Sequence, residues 1–107
     1  MLNKTVDKRL AHAKLVIHER DVEAYLKKEV IKAGGLIRKL QWIGHDGAPD
    51  RFVALNGKTF LIELKAPGKK PTPMQVREHE KLIAQGVAVL VIDTFEKVNT
   101  FIRDKTK

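Results

Sequence analysis

The chain has 107 residues, of which 21 are Lys or Arg and 13 are Asp or Glu, for a formal net charge of +8. With 43% hydrophobic and 32% charged residues it has the apolar content for one domain core and is not disorder-like, and without cysteine it has no disulfide framework, thiol nucleophile or Cys-ligated zinc site. No run approaches the roughly 18 apolar residues of a membrane span, and the basic N-terminus lacks the apolar stretch of a signal peptide, so the expectation is a cytoplasmic protein with no membrane contact.

The basic excess is spread nearly evenly along the chain, which argues against a detachable basic arm. Any surface for a polyanionic partner, most simply nucleic acid, must then be assembled by the fold. There is no internal repeat, low-complexity tract or interdomain linker, so residues 1–107 are expected to form a single domain.

Residues 1–18 read either as an arm or as a short helix capped by Thr5 and running to Lys14. From about Glu19 to Ala33 the pattern is helical: Val22, Leu26, Val30 and Ala33 share one apolar arc, and Gly34-Gly35 supplies a stop. Leu36–Ile43 alternates like a strand and leads into the turn-rich Gly44–Pro49. Arg51–Leu55 and Lys58–Lys65 are strand-like runs joined by Asn56-Gly57, the dipeptide that a type I′ hairpin turn favours. After the Ala66–Pro73 loop, Thr72 as N-cap and Pro73 at the first helical position open a helix to about Gln85, which Gly86 ends. Val87–Ile92 is a continuous apolar run suited to a buried strand, and a final helix spans about Phe95–Arg103. The order α-β-β-β-α-β, with a helical crossover before the last strand, implies a small mixed β-sheet flanked by helices in the α/β class.

A two-residue turn at Asn56-Gly57 makes every cross-strand pair sum to 113, which sets Asp50 opposite Glu63. Alternation then puts Asp50, Phe52, Ala54, Thr59, Leu61, Glu63 and Lys65 on one face, and Arg51, Val53, Leu55, Lys58, Phe60, Ile62 and Leu64 on the other. Facing carboxylates repel at a Cβ separation of about 5 Å, and Lys65 can neutralise only one of them. Either a divalent cation sits between the two acids, or they mark a solvated sheet edge. Glu19 and Glu23 both project towards the apolar arc of the first helix; Glu19, near its start, can also be read as complementing the helix dipole. The histidines at 12, 18, 45 and 79 show no close ligand spacing, and His45 reads as an exposed loop residue.

Pro49-Asp50, twelve further residues, and Glu63-Leu64-Lys65, with a Glu in a preceding helix, resemble the PD-(D/E)XK nuclease superfamily. More narrowly, Gly47-Ala48-Pro49-Asp50-Arg51, then Ile62-Glu63-Leu64-Lys65-Ala66-Pro67-Gly68, then Pro73-Met74-Gln75 is similar to the VRR-NUC family. That family comprises minimal stand-alone nucleases of phages and bacteria and the catalytic module of the Fanconi-associated nuclease. The similarity runs from about Glu19 to Ile92, which would make 19–92 the nuclease core and 93–107 a C-terminal helix or tail.

The resemblance implies a restriction-endonuclease-like fold and a metal-dependent endonuclease acting on DNA, structure-selective for branched duplex such as four-way (Holliday) junctions or flaps. It implies that Asp50, Glu63 and the Leu64 backbone carbonyl ligate Mg²⁺ or Mn²⁺. Lys65 would orient or activate the attacking water, and Glu23 would be the helical acid, through water, with Glu19 as second choice. Gln75 would be the active-site glutamine, although Thr72-Pro-Met-Gln75 is equally a capping box. Arg51, Lys69 and Lys70 flank the proposed site and are candidates for phosphate contacts. The likeness to junction resolvases further implies a homodimer. A catalytically silent DNA-binding or assembly module and a sequence-specific restriction-type nuclease are the competing readings.

Overall fold

In the computed structural model, which describes residues 16–107, the elements run α1 (Glu19–Lys32), β1 (Leu36–Lys39), β2 (Arg51–Leu55), β3 (Lys58–Leu64), α2 (Pro73–Ala84), β4 (Val89–Ile92) and α3 (Phe95–Lys105). The putting of a short helix or arm in residues 1–18 lies mostly outside the described residues. The four strands form one sheet in the order β1-β2-β3-β4, antiparallel except for the β3–β4 pair. This is the mixed α/β sheet that the element order implies.

The hairpin pairs Leu55 with Lys58 and holds that register to Arg51–Ile62. Asn56 and Gly57 take φ values of 52° and 77°, the two left-handed residues of a type I′ turn. Val53, Leu55, Phe60, Ile62 and Leu64 consequently share one face, where they meet Val22, Leu26 and Val30 of α1 and Val98 and Phe101 of α3 in a single buried core. Each such side chain contributes on the order of 1.5–3 kcal/mol by leaving water. Phe60 and Phe101 meet edge to face at 5.1 Å, and Tyr25 of α1 donates to the Asn99 side chain of α3 at 2.6 Å. The opposite face of the sheet is covered by α2, whose Gln75 and His79 reach Glu63.

Both long helices end in the same way. At α1 the amide of Gly34 bonds to the Ile31 carbonyl and that of Gly35 to Val30; at α2 Gly86 bonds to Ile83 and Val87 to Leu82. These are Schellman closures around a left-handed glycine. Thr72 caps α2 by accepting from the Gln75 amide at 3.2 Å.

Two strands differ from the sequence pattern. The first stops at Lys39 instead of Ile43: the Leu40 amide makes one last in-register bond to the Asp50 carbonyl, and Trp42 then leaves the sheet to bond with Glu78 on α2. The apolar run before Asp93 pairs only over Val89–Ile92 and lies at the sheet edge. Of its residues only Ile92 is buried, and Val91 is 37% exposed. Continuous apolarity matches burial on both faces, but nothing among the described residues covers this edge.

Candidate active site

Asp50 sits where the loop from β1 enters β2, and its backbone is held on both sides. Its carbonyl accepts from Leu40 at 2.9 Å, and its amide donates to the Ile62 carbonyl at 3.0 Å. Regular pairing ends one residue later, at Arg51–Ile62, so Asp50 does not extend the ladder to face Glu63 squarely. Its carboxylate instead crosses to β3 and accepts from the Leu64 amide at 2.7 Å. The two acids remain electrostatic neighbours.

Glu63 is only 1% exposed. Its Oε2 accepts from the Gln75 side chain at 3.2 Å and lies 3.2 Å from Lys65 Nζ. Its Oε1 has no hydrogen-bond donor and faces His79 Nε2 at 3.5 Å, itself buried and unpartnered. Burial first, and the Asp50 carboxylate second, push the Glu63 carboxyl up to about 7, against the pull of Lys65. The same burial, with Lys65 adding to it, holds His79 below the usual histidine range and thus neutral.

Gln75 makes two contacts at once. Its side-chain oxygen accepts from the Thr72 amide at 2.9 Å, closing the capping box, while its Nε2 donates to Glu63. An amide can do this because it carries an acceptor and a donor on one carbon.

Of the two helical acids, Glu19 lies at the start of α1 within electrostatic reach of the site. Partial burial and then Asp50 raise its carboxyl, and Lys65 opposes them. Glu23, one turn further on, accepts from Arg51 Nε at 2.9 Å. Arg51, mostly buried, is therefore turned towards α1. Lys69 and Lys70 are exposed in the loop after β3, which the Asp93 carboxylate ties down through the Gly68 amide at 3.3 Å.

The structure thus gathers Asp50, Glu63, Lys65 and Gln75, adds His79, and leaves Glu23 paired with Arg51. His79 escaped a search for histidine ligand spacing because its partner is 16 residues upstream on another element. The available signal was its position four residues after Gln75, on the same helical face. Free oxygens of Asp50 and Glu63 are the groups that could hold a cation. No cluster of three or more His, Cys, Asp or Glu converges on one point among the described residues.

A mixed sheet sandwiched between helices, with an Asp at the start of one hairpin strand and Glu-x-Lys at the end of the other, defines a restriction-endonuclease-like α/β protein. No family model matches the chain. It is 50% identical over 80 residues to "Putative nuclease p44" of Acyrthosiphon pisum secondary endosymbiont phage 1, covering 74% of this chain and 86% of that protein. A solved structure named VRR_NUC domain aligns with a TM-score of 0.74 and 39% identity, covering 79% of this chain and 94% of that one. The chain belongs to the VRR-NUC nuclease family.

Proposed function

We propose that this protein is a metal-dependent endonuclease that hydrolyses DNA phosphodiester bonds, with branched duplex as its preferred substrate. The observation that carries the reading is the Glu63 carboxylate: almost fully buried, beside a second carboxylate and a lysine, with one oxygen lacking a donor. Leaving that charge uncompensated costs several kcal/mol. A hard divalent cation between Asp50 and Glu63 removes the cost, and an all-oxygen donor set suits Mg²⁺ or Mn²⁺ rather than zinc. Two carboxylates, the Leu64 carbonyl and water make an oxygen donor set for an ion that keeps several waters.

A bound cation supplies Lewis acidity towards the scissile phosphate and lowers the pKa of its water. The residues of this chain do the rest. Lys65, held 3.2 Å from Glu63, directs its ammonium at the attacking water and at charge developing on the phosphate. Gln75 fixes one Glu63 oxygen and His79 flanks the other, which sets the orientation of the carboxylate. Glu19 takes the place of the helical acid, in preference to Glu23, because it senses both Asp50 and Lys65 while Glu23 is engaged by Arg51. Arg51 accordingly positions Glu23, and Lys69 and Lys70 meet phosphates. A homodimer would set two such sites on a four-way substrate.

The test is cleavage of four-way junction, flap, plain duplex and single-stranded DNA with Mg²⁺ or Mn²⁺. Structure-selective cuts are expected, abolished in folded Asp50→Asn and Lys65→Ala and reduced more by Glu19→Gln than by Glu23→Gln. Undiminished cutting by the Asp50 or Lys65 variant overturns the site. Binding without cutting by the parent protein supports a silent DNA-binding module instead.

A further inference from the structure

The loop from Leu40 to Asp50 carries a side chain that the chemistry above does not use. Its neck is the Leu40 amide to Asp50 carbonyl bond, so the loop opens from the proposed ligand itself. Trp42 Nε1 donates to Glu78 at 2.7 Å, and His45 Nε2 lies 3.1 Å from the other oxygen of the same carboxylate. These two anchors bracket Ile43 and Gly44. Gly47 packs below them in a left-handed conformation, where a Cβ would lie 3.0 Å from the Glu78 Cβ and 3.2 Å from the Met74 carbonyl. The loop is thus clamped onto α2 at three points, and Ile43 stands at its tip 97% exposed.

A pinned loop could have tucked an isoleucine inwards; here the anchors hold it out in water. Its surroundings point to the occupant. Arg38 and Lys39 precede the loop, Arg77 and Lys81 line the groove beneath it, and all four are exposed. Of the two acids that line the groove, Glu78 is occupied by its two anchors and Asp46 stands exposed on the loop, against the four basic side chains. Glu78 is also next to His79, which faces Glu63, so the tip stands across one helix, about 10 Å in diameter, from the proposed catalytic carboxylate.

We infer that Ile43 is an apolar wedge that packs on an unstacked base pair at the branch point of duplex DNA while the surrounding Arg and Lys side chains hold the flanking phosphates. This deepens, and rests on, the nuclease reading: the loop would recognise the junction that the adjacent carboxylates cut. Apolar side chains inserted at base steps act in this way, and a branch point spares the few kcal/mol of unstacking that a continuous duplex imposes on each wedge.

The test compares the parent protein with Ile43→Ala on a four-way junction carrying 2-aminopurine at the branch and on a continuous duplex of equal length. Binding is measured in EDTA and cleavage with Mg²⁺. The variant should melt like the parent, bind the junction about tenfold more weakly, bind the duplex unchanged, and lose the rise in 2-aminopurine fluorescence. Equal losses on both DNAs, or none on either, overturn the wedge while leaving cleavage by the parent, and so the nuclease reading, intact. A change in solution mass for Ile43→Ala assigns the tip to contact with a second copy and also overturns it. If the parent neither binds nor cuts any of these DNAs, both readings fall.

Discussion

Glu63 concentrates the residue-scale physics of this protein. Its carboxyl is raised from the ordinary range near 4.5 to about 7, so between those values the folded state holds a proton that the unfolded state has released. Stability from this group is full below about 4.5 and is lost as pH rises through 7. His79, held low, works in the opposite direction below 6.5, where charging it opposes folding. Metal-free protein should therefore be compared with Glu63→Gln: the parent's melting temperature relative to the variant's falls between pH 5 and 8. Mg²⁺ should raise the parent's melting temperature more at pH 8 than at pH 5.5, and the variant's at neither. Equal metal shifts at both pH values would refute the assignment. Gln75 carries a related lesson. Sequence offers cap and active-site glutamine as alternatives; the amide closes the cap and also donates to Glu63, a contact that only the tertiary approach of α2 to β3 supplies.

At the scale of elements, α1 packs closely on the sheet through Val22, Leu26 and Val30, and Gly35 permits it. A Cβ there would stand 2.9 Å from the Ala54 carbonyl, the Leu55 Cδ1 and the Val30 Cγ1. Gly35→Ala is expected to destabilise the fold by about 1–3 kcal/mol, read from chemical denaturation, because two of those neighbours are core side chains and one is backbone. The double glycine reads from sequence simply as a helix stop. Only Gly34 has the left-handed φ that this role needs; Gly35 is required by packing, which no local pattern reveals. The hairpin was legible because its turn chemistry is local. The length of β1 and the edge position of β4 were not, since both depend on which neighbours the rest of the chain supplies.

At the scale of the molecule, the excess of positive charge acquires a place relative to the acids. Lys69 and Lys70 stand in a loop braced by Asp93, which is itself paired with Lys97 at 2.7 Å. If both lysines meet phosphates, Lys69→Ala/Lys70→Ala should lower the slope of log affinity against log salt by about 2 in duplex binding. An unchanged slope would make them solvated charges. The apolar β4 edge, with Val91 and the neighbouring Phe95 each 37% exposed, is the surface on which the proposed homodimer would be sought. Light scattering at working concentration should then give about twice the 12.1 kDa chain mass, and a monomer mass would dismiss it.

By itself the sequence determined the class of structure, the hairpin register, the helix caps and the Pro-Asp…Glu-x-Lys constellation, because each rests on contacts between residues near in the chain or on a pattern with fixed period. The tertiary structure decided that Arg51 engages Glu23, that His79 shares the burial of Glu63, and that Ile43 is held out in water beside α2. Those outcomes follow from the meeting of α1, α2 and the Leu40–Asp50 loop around one sheet end, where burial and charge are set by neighbours distant in sequence.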